Sequence, residues 1–377
     1  MKRITLLLQS TLIVSFLFAQ TAQKPTFQKP EFVDIKTVKV SPVKNQAMTG
    51  TCWCFSTTSL LESEEIRKDK QDIDLSEMFT VRNIYIEKAK NYILRQGHTQ
   101  FGEGGLSHDM IRAVGTYGAI PEGVYSGLVN GQREYNHQKL ISRLQLFLDS
   151  VLKKQPISSE WLNGYTNILD EYLGKVPQEF SYNDKKYTPS TFAKEVLKFS
   201  ADDYVSLTSF THQPYYSSFV LQVPDNFANG SFYNIQLNEL IDVVKEAVAK
   251  GYSVAWDADV SNKGFKQEVG LALNVDPSIK YNSETFNLNT KEMPYDANIR
   301  QQLYENLTTQ DDHLMHIVGT EKSKDGKTFF VVKNSWGKIG PYEGYINVSE
   351  AYFGINTVSI VLPKAAISKD LLQKLHL

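Results

Sequence analysis

Hydrophobic residues recur at the helical period in the first third of the chain. In the earliest such segment, Phe55, Leu60, Leu61 and Ile66 recur roughly at the helical period, and charged residues fill the later turns. The same pattern occurs in two further segments. It predicts three early α-helices, which cover about 52–68, 76–95 and 107–117.

The middle of the chain, about 130–235, has a different pattern. Hydrophobic residues follow helical spacing in three more stretches, near 135–153, 158–173 and 190–199. Pro156, Gly174 and Pro177 separate these stretches, as residues that interrupt helices do. We interpret this segment as a helical insertion.

Short strands dominate after one further helix. Residues 237–250 have hydrophobic positions at helical spacing and precede Gly251, a residue type that often ends helices. Runs rich in β-branched or aromatic residues then predict strands over 252–256, 313–320, 328–333, 344–348 and 357–362. Together with a first strand over 32–40, this order predicts an α+β fold with two lobes.

The N-terminus has the pattern of a secretory signal peptide over residues 1–22. Lys2 and Arg3 precede an apolar run over 6–18, and small or polar residues follow. The alternatives are a membrane anchor or an apolar first strand, but a spanning helix needs about 20 apolar residues. We therefore expect an exported protein, periplasmic or extracellular, with its mature domain over 23–377. No later segment in the sequence approaches transmembrane length.

Composition excludes several classes of protein. The 377 residues are 41% hydrophobic and 22% charged, which is typical of a globular protein and not of a disordered, collagenous or coiled-coil chain. The net charge of −2 gives no indication of nucleic-acid binding. Sequence fingerprints for nucleotides are absent, so we expect no cofactor. The two cysteines, Cys52 and Cys54, are too close in sequence to link distant parts of the chain.

The strongest chemical candidate is Cys52, at the predicted start of a helix. Backbone N–H groups and the helix dipole favour a thiolate at that position, which a nucleophile requires. Gln46 precedes it by six residues and offers an amide that can donate a hydrogen bond to an oxyanion, beside the backbone N–H of Cys52. The alternative is that Cys52 is simply a small buried residue, the commoner fate of a lone cysteine.

The segment around Gln46 and Cys52 resembles the active-site signature of papain-family cysteine peptidases. That resemblance implies a histidine at the start of a downstream strand and an asparagine in an Asn-Ser-Trp-Gly turn. The sequence has both, His313 and Asn334, with Trp336 two residues later. It implies a helical lobe packed on an antiparallel, barrel-like lobe. It also implies that His313 accepts the thiol proton, Asn334 orients His313, and Trp336 shields their hydrogen bond.

Other interpretations of these residues are weaker. A metal site at His313 and His316 is disfavoured, because an odd separation on a strand directs the two side chains to opposite faces, and no zinc-type cluster occurs. The same alternation makes Asp312 a surface or barrel-end carboxylate. Cys54 lies about 200° around the helix from Cys52, so we expect it to be buried and not to be a resolving thiol.

Gly104 and Gly105, before the third helix, resemble the family's paired glycines. These bind the backbone of the substrate residue that precedes the one at the scissile bond. Two glycines are a weak signal, and a plain turn is the alternative. Their position in a glycine-rich loop favours the substrate-binding interpretation.

Departures from the typical papain-family sequence indicate which branch of the family this chain resembles. Thr49 stands where secreted relatives have a disulfide cysteine, and Cys52 follows the signal segment too closely for a long prosegment. His313 lies 261 residues after Cys52, against about 130–150 in papain-like enzymes. With a similar segment over 115–125, the chain resembles the bleomycin hydrolase and aminopeptidase C branch. That branch is usually intracellular, and its hexamers make a homo-oligomer one alternative by analogy.

We therefore predict an exported cysteine peptidase that cleaves peptides or proteins through a thioester on Cys52, with aminopeptidase action as the preferred specificity. Endopeptidase action, acyl transfer at the same site, and a catalytically idle binding protein are the alternatives. The C-terminal tail, 364–377, corresponds to an arm that blocks the cleft in this branch. Here its hydrophobic spacing predicts a short amphipathic helix capped by Ser368, with less reach than an extended arm.

Overall fold

The computed structural model describes residues 29–282 and 285–377. The predicted signal peptide, 1–22, lies outside the described residues. One large sheet divides the described part of the chain, with a layer of helices on each face. The first helical layer along the chain contains α1 (Cys52–Asp69), α2 (Glu77–Leu94) and α3 (Ser107–Tyr117). These bounds lie within about two residues of the predicted ones.

Helix α1 is the central helix of this layer and is buried from Cys52 to Glu65. A helix that is buried around its whole circumference has neighbours on every side. Its buried carboxylates are therefore paired: Glu62 accepts hydrogen bonds from Ser41 and Lys44, and Glu64 accepts two from Arg67 at 2.8 and 2.9 Å. Pairing offsets the cost of removing these charges from water.

The middle segment is helical only in its first part. It contains α4 (Gln138–Leu152), α5 (Trp161–Leu173), the hairpin β2 (Phe180–Tyr182) and β3 (Lys185–Tyr187), and α6 (Pro189–Glu195). The remainder forms β4 (Tyr204–Thr208), β5 (Ser218–Val220) and β6 (Ser231–Asn234), which join the main sheet. Strands of three to five residues are too short to give a clear period, so the sequence pattern did not reveal them.

The remaining elements follow in sequence and build the sheet and its second helical layer. The helices are α7 (Leu237–Ala249), α8 (Ala297–Glu305), α9 (Glu350–Asn356) and α10 (Lys369–Lys374). The strands are β1 (Val33–Thr37), β7 (Val254–Ala258), β8 (Phe265–Lys266), β9 (Leu271–Ala272), β10 (His313–Lys322), β11 (Thr328–Lys333), β12 (Tyr345–Ser349) and β13 (Thr357–Pro363).

The main sheet has the order β5-β6-β4-β13-β7-β10-β11-β12-β9-β8, and β1 adds to β10. Most pairs are antiparallel, and β4 with β6 and β9 with β12 are parallel. Strand β10 lies between β7 and β11, with His316 opposite both Ala255 and Lys333. The α+β prediction is confirmed, and β10 is a central strand of the sheet.

Alternation along the strands sends neighbouring side chains into two different cores. On β7, Ala255 packs in the same cluster as Cys52 and the helices α1–α6, whereas Val254 and Trp256 pack with α7, α9 and α10. On β10, Leu314 belongs to the first core and Met315 to the second. The sheet thus separates the face that carries Cys52 from the face that carries the C-terminus.

The C-terminal tail forms the short helix α10 on that second face. Ser368 caps it by accepting a hydrogen bond from the backbone N–H of Leu371 at 3.3 Å, as predicted. Leu371 and Leu375 are buried in the core beneath α7, and Lys374 pairs with Glu239 at 2.8 Å. In the part of the chain that the structure describes, no helix is both long and apolar enough to cross a membrane.

We expect Leu371→Ala to lower the free energy of unfolding by about 2–4 kcal/mol, because the leucine side chain is buried and its loss leaves a cavity. Leu377→Ala is the matched control. Leu377 is 39% exposed, so its truncation should change the free energy by no more than about 0.5 kcal/mol. Denaturant unfolding followed by circular dichroism measures both. Equal stability of the two variants would contradict the packed tail.

Candidate active site

Cys52 is the first residue of α1. Thr51 precedes it and makes no side-chain cap, because its hydroxyl pairs instead with the hydroxyl of Thr49 at 2.6 Å. The N–H of Cys54 already donates to the Thr51 carbonyl at 2.9 Å, but the N–H groups of Cys52 and Trp53 have no partner within the helix. They are therefore available to a group that binds beside Cys52, which has 7% of its surface exposed.

Helix α1 packs against β10, and Leu314 lies beside Cys52, with His313 preceding it as the first residue of the strand. One turn beyond Cys52, the hydroxyl of Ser56 donates to the carbonyl of Met315 at 2.6 Å. One turn further, the hydroxyl of Ser59 lies 2.8 Å from Nδ1 of His316. These contacts fix the register of the helix on the strand, and a backbone hydrogen bond joins Leu314 to the Cys52 sulfur.

His313 is held by a chain of side-chain hydrogen bonds. Its Nε2 lies 2.8 Å from Oδ1 of Asn334, and Nδ2 of Asn334 donates to Oε1 of Gln267 at 3.1 Å. Nε2 of Gln267 in turn donates to the carbonyl of Tyr345 at 3.1 Å. Because Asn334 Oδ1 is an acceptor, this chain places a proton on Nε2 and leaves Nδ1 of a neutral His313 free to accept one.

The Trp336 ring covers this hydrogen bond. It stacks on the His313 ring with centroids 4.6 Å apart and an interplanar angle of 29°. Phe265 packs edge-on against Trp336 at 6.0 Å. Asn334 and His313 are both buried, so the bond between them lies under aromatic surface and away from water.

Burial acts against an isolated charge on Cys52 or His313. It raises the pKa of the Cys52 thiol to about 12, a hydrogen bond with the Leu314 backbone lowers it, and three aspartates raise it further. Burial also lowers the pKa of His313 to about 4, partly opposed by its bond to Asn334. Burial therefore favours the neutral thiol and the neutral imidazole, and a thiolate and an imidazolium formed by proton transfer would be stabilised by the attraction between their charges.

Gln46 lies beside the first turn of α1 in a fixed orientation. Its backbone N–H donates to the carbonyl of Ser335 at 2.8 Å, and its Oε1 accepts from the Ser335 hydroxyl at 2.5 Å. One Nε2 proton donates to the carbonyl of Thr49 at 2.7 Å. The amide carries a second Nε2 proton, which suits the predicted oxyanion role.

Gly104 and Gly105 lie beside Trp53, the residue after Cys52. A side chain on Gly105 would come within 3.1–3.3 Å of the Trp53 ring. Trp53 Nε1 donates to the carbonyl of Glu103 at 3.0 Å, and the Glu103 carboxylate accepts from the Gly50 N–H at 2.7 Å. These two bonds tie the glycine loop to the Cys52 turn, so the structure brings the predicted substrate-binding glycines and the predicted nucleophile together.

The weaker candidates have other partners. Cys54 has no exposed surface, and its sulfur lies 3.3 Å from the Glu77 carbonyl, so the prediction of a buried thiol is confirmed. His316 contacts Ser59 and His313 contacts Asn334, so the two histidines have different partners. Asp312 accepts a hydrogen bond from the backbone of Val260 at 3.2 Å and is exposed.

Sequence reasoning missed several residues around the site. Gln267 lies far from Asn334 in sequence and belongs to no motif, so no local signal could have identified it. Lys88 gave a signal that was not used, since its spacing from the hydrophobic residues Tyr85 and Tyr92 places a lysine on the buried face of α2. Asp225 lies in the middle segment, where the resemblance was loose.

Comparison with known proteins agrees with this architecture. Residues 6–377 match the family described as Peptidase C1-like. Aminopeptidase C of Lactococcus lactis subsp. cremoris is 25% identical over 368 residues, which cover 87% of this chain and 82% of that protein. Bleomycin hydrolase of Rattus norvegicus is 24% identical over 393 residues, which cover 89% of this chain and 83% of that protein.

A solved structure shares the fold. The crystal structure of PepW from Lactobacillus rhamnosis HN001 superposes with a TM-score of 0.73 at 20% identity, over 94% of this chain and 85% of that one. The predictions of a papain-like fold and of a cysteine-type peptidase are both confirmed. The match over nearly its whole length shows that this chain belongs to the Peptidase C1-like family of papain-like cysteine peptidases.

Proposed function

We propose that this protein is an aminopeptidase that hydrolyses peptide bonds through a thioester on Cys52. The observation that carries the proposal is the bond between His313 Nε2 and Asn334 Oδ1 beneath Trp336, at the point where β10 packs against the first turn of α1. That bond leaves Nδ1 of His313 as the free basic atom next to the thiol.

In the first half of the reaction, His313 Nδ1 takes the Cys52 proton and the sulfur attacks the carbonyl carbon of the scissile bond. Negative charge develops on the carbonyl oxygen. The backbone N–H of Cys52 and the second Nε2 proton of Gln46 stabilise it. The bond to the leaving nitrogen then breaks, and His313 gives that nitrogen the proton, which leaves an acyl thioester on Cys52.

In the second half, water attacks the thioester carbon while His313 takes a proton from the water. The bond from sulfur to carbon breaks, and the acid product and the free thiol form. If another amine attacked in place of water, the product would be a new amide, so acyl transfer uses the same residues. Hydrolysis is the simpler proposal, because it requires no second binding site.

Two observations support aminopeptidase action over cleavage within a chain. Relatives with these names, aminopeptidase C and bleomycin hydrolase, match more than four fifths of their own lengths. The Asp225 carboxylate also fills the space beside Gly104, where the family resemblance places an upstream substrate residue. A catalytically idle binding protein is disfavoured, because such a protein has no need to hold His313 in one tautomer.

We propose export on the sequence pattern of residues 1–22, with its two basic residues, apolar run and small residues. Expression of the full chain in a bacterial host, followed by fractionation and N-terminal sequencing, tests this. An exported protein should begin near residues 20–24 in the periplasm or medium. A chain that keeps Met1 and stays in the cytoplasm would contradict export and leave the peptidase proposal intact.

Cys52→Ala should abolish hydrolysis of an aminoacyl-aminomethylcoumarin substrate and leave the thermal unfolding temperature nearly unchanged, because the thiol contributes chemistry and little packing. Cys54→Ala is the matched control and should remain active. In the wild-type protein, labelled iodoacetamide should modify Cys52 before Cys54, as peptide mapping would show. Wild-type turnover by Cys52→Ala would overturn the assignment of the nucleophile.

His313→Ala should lower kcat by at least about 100-fold, because the general base itself is lost. Asn334→Ala should lower kcat by about 10- to 100-fold without abolishing activity, because His313 then visits the productive orientation only part of the time. Steady-state kinetics on the same substrate measure both values. Total loss in both variants, with Asn334→Ala also unfolding at a lower temperature, would assign Asn334 a structural role instead.

A further inference from the structure

Three aspartates from separate parts of the fold converge on Cys52. Asp225 lies in the loop 221–230, Asp257 lies on β7, and Asp311 precedes β10. We call these three residues the acidic cluster. Asp257 lies opposite Leu314 in the pairing of β7 with β10, Asp311 lies two residues before His313, and the Asp225 carboxylate lies against Gly104. All three also raise the pKa of the Cys52 thiol. The reaction proposed above uses none of them.

Asp225 occupies the cleft directly beside Gly104. A side chain added at Gly104 would overlap both oxygens of the Asp225 carboxylate, so this carboxylate fills the space next to the glycine. By resemblance, Gly104 and Gly105 bind the substrate residue that lies one position upstream of the scissile residue. A carboxylate in that position obstructs a peptide that extends further upstream. It also presents a negative charge to the N-terminus of a peptide that ends at this point.

The loop that carries Asp225 is built to hold a fixed position. The buried Asn226 side chain donates to the carbonyls of Leu221 and Gly230 at 2.8 and 2.9 Å and accepts from the Gly230 N–H at 2.7 Å. Phe227 packs beneath Lys88, whose ammonium lies 5.2 Å from the ring centroid. Side-chain and backbone bonds of this kind preorganise a binding group.

Asp257 and Asp311 form a buried carboxyl pair behind Asp225. Asp257 has 1% of its surface exposed, yet its Oδ1 has no hydrogen-bond donor, and neither has the buried Oδ2 of Asp311. The two carboxyls face each other closely enough to hydrogen bond, which requires a proton between them. Burial raises the pKa of Asp311 to about 7, with Asp225 adding to the effect. A buried carboxyl pair is stabilised by an ammonium group in the same way.

Two cationic side chains, Lys88 and Arg300, lie near the acidic cluster. Lys88 donates to the carbonyls of Gly102 and Gly104, and its charge attracts Asp225 and Asp311. The buried Arg300 attracts Asp257, but its own hydrogen bonds go to the carbonyls of Ser209 and Gly354. Asp109, also near Asp225, is already paired with Arg112 at 3.2 Å. Nε2 of Gln100 donates to Oδ1 of Asp225 at 3.3 Å, and Oδ2 is the Asp225 atom that lies closest to the Cβ position of Gly104.

We propose that Asp225, backed by Asp257 and Asp311, binds the α-ammonium group of the substrate's N-terminal residue and blocks the cleft upstream of it. This inference rests on the proposed peptidase function and names its substrate class, peptides with a free N-terminus. The C-terminal tail cannot supply the block, because α10 packs on the opposite face of the sheet from Cys52. The loop 221–230 takes that role instead.

The test compares one aminoacyl-aminomethylcoumarin with its N-acetylated counterpart, in the full-length protein. The wild type should prefer the free amine. Asp225→Asn keeps the size of the side chain and removes its charge, so kcat/KM for the free amine should fall by about 10- to 100-fold, mainly through KM. Asp225→Ala also opens the cleft, so kcat/KM for the acetylated substrate should rise by at least about tenfold.

Asp202→Asn is the matched control, an exposed aspartate outside the site, and should match the wild type. Active-site labelling of Cys52 in each variant confirms that the protein is folded. If both Asp225 variants keep the wild-type ratio of free to acetylated turnover, the ammonium subsite is wrong and the peptidase function stands. If the wild type cleaves neither substrate although Cys52 is labelled, the proposed function is overturned, and the subsite with it.

Discussion

The packing of the first turns of α1 against the start of β10 is the contact on which the active site depends. The thiol belongs to the helix and the imidazole to the strand, so their meeting requires a fixed register between two elements 261 residues apart. Ser56 and Ser59 set that register through hydrogen bonds to Met315 and His316. Lys333 on the neighbouring strand strengthens it, because its ammonium donates to Ser59 and to Ser41 at 2.7 Å.

The same contact explains why the site is electrostatically demanding. A buried interface strengthens every charge interaction within it and penalises any charge that lacks a partner. Lys44 illustrates the structural solution, with Glu62 and Glu77 at 3.1 and 2.7 Å. At Cys52 and His313 burial instead favours the neutral form of each group, and His313 is paired with Asn334. Trp336 keeps water from competing for that pair.

The middle segment contributes both to the main sheet and to the surroundings of the active site. Its strands β4, β5 and β6 extend the main sheet, and the loop 221–230 between β5 and β6 carries Asp225 into the cleft. In this chain the C-terminal tail has a different task, because its leucines are buried in the core on the far face. Specificity at the upstream end of the cleft is thus supplied from within the chain, by a loop held in place by Asn226 and Lys88.

The sequence by itself determined the helices around the site, the α+β class, and the motifs at Cys52, His313 and Asn334, because each has a local pattern of period or composition. Ser368 and α10 were predictable for the same reason. Only the tertiary structure decided the strands β4–β6, the second partner of Asn334 at Gln267, and the acidic cluster. Asp225, Asp257 and Asp311 share no motif, and their meeting depends on the register of β7 with β10 and on where one loop folds back. Long-range geometry of that kind leaves no trace in local sequence spacing.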